Sequence, residues 1–242
     1  MNLFLTLAFL FFIGSVIGWV LELFFRRFIS TANPERKWIN PGFCIGPYLP
    51  LYGFGLCFLF LIASLENLHW FQSTFWNRIV LFLIMAVCMT VIEYIAGIFC
   101  LKVTKVRLWD YSDEWGNIQG IICPRFSALW AVLGAAYYFL IHPRILGVLF
   151  WFSKNLAFSF VIGLFFGVFI IDVVYSSQLI VKLKKFAEEN NIIVEYERWK
   201  AQIQQEKKVK KSHFFFPFRT EYSVTDLLKM LYETFDEWKR KN

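Results

Sequence analysis

Charge is scarce in this chain. Of its 242 residues 18% are Asp, Glu, Lys or Arg, against 58% hydrophobic and 21% aromatic. A water-soluble globule of that composition would leave large apolar patches in water and aggregate, so a soluble fold is excluded. Other shortages narrow the chemistry. No GxxxxGK[ST] string occurs, so ATP hydrolysis would have to come from a separate subunit. The three histidines, His69, His142 and His213, are scattered with no HxxxH or HExxH, which argues against a metal hydrolase; no metal and no cofactor are expected. The five cysteines contain no CxxC, and Cys57, Cys88 and Cys100 sit in apolar runs where cysteine acts as a small hydrophobe, so no disulfide framework is expected. Ser15, Ser127, Ser159 and Ser176 have no histidine nearby and read as helix-packing residues. Without a nucleophile or metal constellation, the balance leans away from an enzyme. The first apolar run, residues 3 to 25, lacks a basic n-region and a small-residue cleavage site before Arg26 and Arg27, and reads as a retained membrane span.

What is abundant is apolar sequence in lengths that cross a bilayer. Five segments qualify, residues 3–25, 48–65, 77–101, 125–141 and 156–181, apolar all round rather than on one face. The second and fourth are short and start at prolines, Pro47 to Pro50 and Pro124, where proline suits a first helical turn. The expected fold is all-α: a polytopic membrane domain of five helices over residues 1–181, followed by a basic, helical cytoplasmic tail over 182–242. In that tail, residues 178–190 continue the last span and 192–211 alternate charges in helical style. A final helix after Ser223 carries a Leu227, Leu231, Phe235, Trp238 stripe, and Phe214 to Phe218 form an aromatic cluster; both call for a docking partner.

Lys and Arg crowd the loops after the first and third spans (Arg26, Arg27, Arg36, Lys37; Lys102, Lys105, Arg107) and the 14 basic positions after the fifth. With an odd number of spans, the positive-inside rule then puts the N-terminus outside and the C-terminus in the cytoplasm. The net charge of +7 suits an anionic membrane surface better than nucleic acid, for which no module is recognisable.

A two-helix parallel repeat is also visible. Glu22 in the first span, then Asn40, Gly42, Pro47 and Tyr52, is echoed by Glu93 in the third, then Asn117, Gly120, Pro124 and Trp130.

Three acids lie within apolar spans, Glu22, Glu93 and Asp172. A carboxylate at mid-bilayer costs about 2.5–3.5 kcal/mol on insertion scales, so each requires a reason. A shared polar site between the first, third and fifth spans is one; ion pairing, with Arg26 one turn after Glu22, is the other. The loops after the first and third spans are rich in Gly, Pro, Asn and aromatics, which define a fixed backbone path. They are either structured helix entries or ligand contacts. The candidate substrate-binding residues are Glu22, Glu93, Asp172, Asn40, Tyr52, Trp109, Asp110 and Asn117, with no catalytic residue assigned.

The strings Gly18-Trp19-Val20-Leu21-Glu22, NPGF, GPYLPLYGFG, Ile92-Glu93-Tyr94 and LWDYS together resemble the ABC-transporter type IV family, the CmpB-type permease-like membrane proteins of bacteria. The resemblance covers about residues 5–175. It implies a permease and, with it, an ATPase partner; it supplies no substrate. Transport of a small or amphipathic solute is the leading expectation. The alternatives are a membrane enzyme acting on a lipid or lipid-linked substrate, with Glu93 or Asp172 as general base, and a non-catalytic scaffold. Membrane lipids, a cytoplasmic protein and self-association are the expected partners.

Overall fold

In a computed structural model, residues 3–30, 33, 36, 38–68, 73–190 and 192–196 are described. They form six α-helices and one two-stranded pair: α1 (Leu3–Phe28), α2 (Pro50–Ser64), α3 (Thr74–Phe99), β1 (Val106–Arg107), α4 (Pro124–Ala136), α5 (His142–Lys154), α6 (Leu156–Glu189) and β2 (Val194–Glu195). Among the described residues four stretches are long and apolar enough to cross a membrane: Leu3–Phe28, Thr74–Thr104, Pro124–Phe152 and Ala157–Glu189.

Two of the five expected spans differ from the observed helices. The second is helical, but α2 has 15 residues, a rise of about 22 Å against a hydrocarbon core of about 30 Å, and ends in a 3-10 turn, Leu65–Leu68. The fourth does not stop at residue 141: α4 passes through a π turn, Tyr137–Ile141, into α5. Pro143 is the reason. Its ring lacks an N–H and crowds the carbonyl four residues back, and a widened turn ahead of it keeps the helix going where a regular turn could not. The helix therefore reads through a His-Pro step that looks like a terminator in the sequence.

The described chain divides into two compact units. Unit 1 comprises residues 1–19, 48–98 and 110–168. Its core gathers Leu10, Leu59, Leu81, Met85, Trp130 and Tyr137. The buried face of α3 repeats every fourth residue: Asn77, Leu81, Met85, Met89, Glu93, Gly97. On α1 the close approach is made by small residues. A Cβ on Gly14 would lie 2.9 Å from Leu56 Cβ, and one on Gly18 would lie 2.2 Å from Tyr52 Cβ. Glycine alone fits there, as at other small-xxx-small helix contacts. Gly134 on α4 is less tightly approached: a Cβ there would lie 3.8 Å from Leu59 Cδ2 on α2 and 4.0 Å from Met85 Cβ on α3. Tyr52 and Trp130, the aromatics of the two sequence halves, meet with ring centroids 4.9 Å apart.

Unit 2 comprises the described residues within 20–47, 99–109 and 169–196. Its core is Val106, Leu183, Phe186, Ala187, Val194 and Tyr196. β1 and β2 pair in parallel, Val106 with Val194 and Arg107 with Glu195. The sequence reads 192–211 as helical. Residues 194–195 are instead a strand, because the β-branched run Ile192-Ile193-Val194 suits an extended backbone and β1 offers an open edge. The Phe214–Phe218 cluster and the Leu227 to Trp238 stripe lie outside the described residues.

Candidate functional site

Glu93 continues the run of buried residues at four-residue spacing on α3, after Leu81, Met85 and Met89, and is 3% exposed. One carboxylate oxygen, Oε1, accepts a hydrogen bond from the Tyr111 hydroxyl at 3.2 Å. A phenol donor stabilises a carboxylate with no second formal charge, which suits an apolar surrounding.

Tyr111 is held by a loop built for that purpose. Its ring stacks on Phe126 at 4.2 Å and 12°, and its backbone N–H donates to Gly120 O at 2.8 Å. Asp110 accepts from the backbone N–H of Ser112 at 3.0 Å, an Asx turn. Asn117 donates through Nδ2 to the carbonyls of Ser112 and Glu114 (3.0 and 2.9 Å) and accepts from Gly120 N–H at 3.0 Å. The bend this produces needs left-handed backbone at Gly116 (φ 65°) and Gly120 (φ 67°). Arg125 closes it with an ion pair to Glu114 at 2.8 Å. Asp110 and Asn117 thus shape a loop that aims Tyr111 at Glu93. Trp109, half-buried, ends the unit 2 segment that precedes this loop.

Asp172 belongs to unit 2 and is satisfied differently. It is 2% exposed and accepts from Ile45 N–H (3.1 Å), Gly46 N–H (2.7 Å) and Ser176 Oγ (2.8 Å). Asn40 braces the same loop, donating through Nδ2 to the carbonyls of Cys44 and Ile45 at 3.0 Å each, and Gly42 turns it at φ 73°. Tyr196 is buried in the same unit; burial pushes its phenol well above the usual tyrosine range, and Cys44 and Asp172 add to the rise. Asp172 reads as a fastener between α6 and the 40–47 loop.

Glu22 lies one further turn along the α1 face that carries Leu10, Gly14 and Gly18, and it ion-pairs with Arg26 at 2.9 Å. At the corresponding turn of α3, after Glu93, stands Gly97. Glu22 thus has the arginine one turn away as an ion-pair partner. Tyr52 packs on Gly18 and Trp130 in unit 1.

Three residues that matter here are not among the candidate substrate-binding residues: Tyr111, which entered only through the LWDYS string, Ser176, which read as a helix-packing serine, and Tyr196. Ser176 had a signal, one helical turn after Asp172. Tyr196 had none, since nothing local distinguishes it from the charged sequence around it.

Long apolar helices with buried, hydrogen-bonded acids define a multi-pass α-helical membrane protein. The family model described as "Putative ABC-transporter type IV" matches residues 9–177, and the chain belongs to that family. It is accordingly a transport-related membrane protein. No curated protein and no solved structure matches it.

Proposed function

We propose that this chain is the permease component of a bacterial inner-membrane transport system for a small or amphipathic solute, energised by a separate ATPase subunit. Family membership supports transport, and because this sequence has no phosphate-cradling GxxxxGK[ST] string, the reading assigns ATP hydrolysis to a separate subunit. The observation that carries the site is Glu93, an ionisable group deep on an apolar helix and bonded to a loop-borne phenol. Glu93 and Tyr111 contact the solute, while Asn40, Asp110, Asn117 and Asp172 hold the two loops in shape, Glu22 is neutralised by Arg26, and Tyr52 packs the helices.

We read α1–α2 and α3–α4 as two copies of one parallel unit. The Tyr52–Trp130 contact and the carbonyl-bridging Asn40 and Asn117 support this. In this reading α2 crosses in the same direction as its counterpart α4, the N-terminus is outside and the C-terminus cytoplasmic. Single cysteines at Lys102 and Lys185 are expected to label from the cytoplasm and one at Glu66 from outside. Labelling of Glu66 and Lys102 from the same side overturns the crossing of α3, and Lys102 labelled from outside with Glu66 labelled from the cytoplasm overturns the orientation.

The functional test compares solutes accumulated by membrane vesicles with and without the protein, read by untargeted mass spectrometry. Glu93→Gln, at equal protein level, is expected to abolish the difference, and Tyr111→Phe to reduce it about tenfold, the factor for roughly 1.4 kcal/mol, the worth of a hydrogen bond to a charged group. Full accumulation by Glu93→Gln rejects the site. Chemical conversion of a lipid by the purified protein in detergent rejects the permease reading in favour of an enzyme.

A further inference from the structure

The end of α1 and the segment after it carry an aromatic and cationic surface that neither core uses. Phe24, Phe28 and Trp38 are each about half exposed or more (51%, 60% and 50%). They are nevertheless ordered against one another. Phe24 and Phe28 stack at 6.0 Å and 19°, and Trp38 stands perpendicular to both at 5.6 and 6.1 Å. The Arg27 guanidinium lies over the Trp38 ring at 5.0 Å. Side chains this apolar would not hold an exposed arrangement in water, but they suit the boundary where acyl chains give way to headgroups.

Charge then selects among the lipids. Arg26 is committed to Glu22. Arg27, among the described residues, has no carboxylate partner, and its guanidinium is set in place by the ring beneath it. Arg36, exposed and in left-handed backbone (φ 52°), is tied back to Ser30 O at 3.3 Å, which keeps a second guanidinium on the same segment. A planar guanidinium backed by an aromatic face still offers its N–H edge, the geometry that binds a phosphate oxygen pair.

We propose that Arg27 and Trp38, with Phe24 and Phe28, form a binding site for one anionic phospholipid, the phosphate on Arg27 and an acyl chain along the two phenylalanines. The partner is the lipid, since free phosphate would have no use for three exposed rings. The site is independent of the transport reading and stands or falls separately from it.

The test uses the full chain in mild detergent, titrated with phosphatidylglycerol or phosphatidylcholine and read by native mass spectrometry. The wild type is expected to retain one phosphatidylglycerol in preference to phosphatidylcholine. Arg27→Gln is expected to weaken phosphatidylglycerol retention roughly fivefold, the factor one basic residue contributes near an anionic surface, and to leave phosphatidylcholine unchanged. Trp38→Phe, a mild replacement that keeps an apolar ring, is expected to lie between. Equal retention of the two lipids by the wild type overturns the proposal without requiring any variant to fold. So do unchanged retention in folded Arg27→Gln, displacement of the lipid by millimolar inorganic phosphate, and a lipid-independent dimer that Arg27→Gln dissociates.

Discussion

Asp172→Ala is expected to lower the stability of the protein in detergent by roughly 3–5 kcal/mol, because it strips the acceptor from two backbone N–H groups and a serine hydroxyl at once. Asp172→Asn is expected to cost less, since its one amide oxygen can still accept while its NH2 must face donors. The local readout is Cys44, 2% exposed in the loop that Asp172 holds. In a background where Cys44 is the only cysteine, it is expected to resist a thiol reagent in the parent and to react in Asp172→Ala. An unreactive Cys44 together with an unchanged melting temperature would show that Asp172 does not fasten the loop. The same pair of measurements separates a structural role from a transport role, because Glu93→Gln is expected to leave Cys44 protected.

Gly18→Ala is expected to have the second large effect. The added methyl would sit 2.2 Å from both Cβ and Cγ of Tyr52. A Cβ is fixed by its own backbone and cannot swing aside, so α1 and α2 must separate, and about 3 kcal/mol of destabilisation is expected. Gly163→Ala on α6 is the control. Nothing lies within 4 Å of that position, and the substitution is expected to be neutral to within about 1 kcal/mol. Thermal unfolding monitored by aggregation in detergent distinguishes the two. Equal melting temperatures for both variants would mean that α1 and α2 do not pack through Gly18.

α6 explains why its glycines are permissive where those of α1 are not. Its apolar window is 6% buried, against 39% for that of α1. An apolar stretch with few protein neighbours gains nothing from small residues, whereas one packed against a neighbouring helix gains close approach.

That the protein resides in a membrane, that its helices are apolar all round, and that three acids inside them require an explanation can all be read from residue order alone. Length and composition decide those points, because transfer into a bilayer depends on the sum over about 20 residues and not on their partners. Likewise Asn40, Gly42, Asn117 and Gly120 were legible as shapers of turns, since their hydrogen bonds reach only a few residues along the chain. What each acid does was not legible. Glu22, Glu93 and Asp172 look alike in sequence, yet one pairs with an arginine one turn away, one accepts from a tyrosine 18 residues on, and one accepts from backbone amides more than a hundred residues back. The folded arrangement separates these fates, because the free energy of a buried carboxylate is set by the donors that folding brings within about 3 Å, and chain order carries no record of that distance.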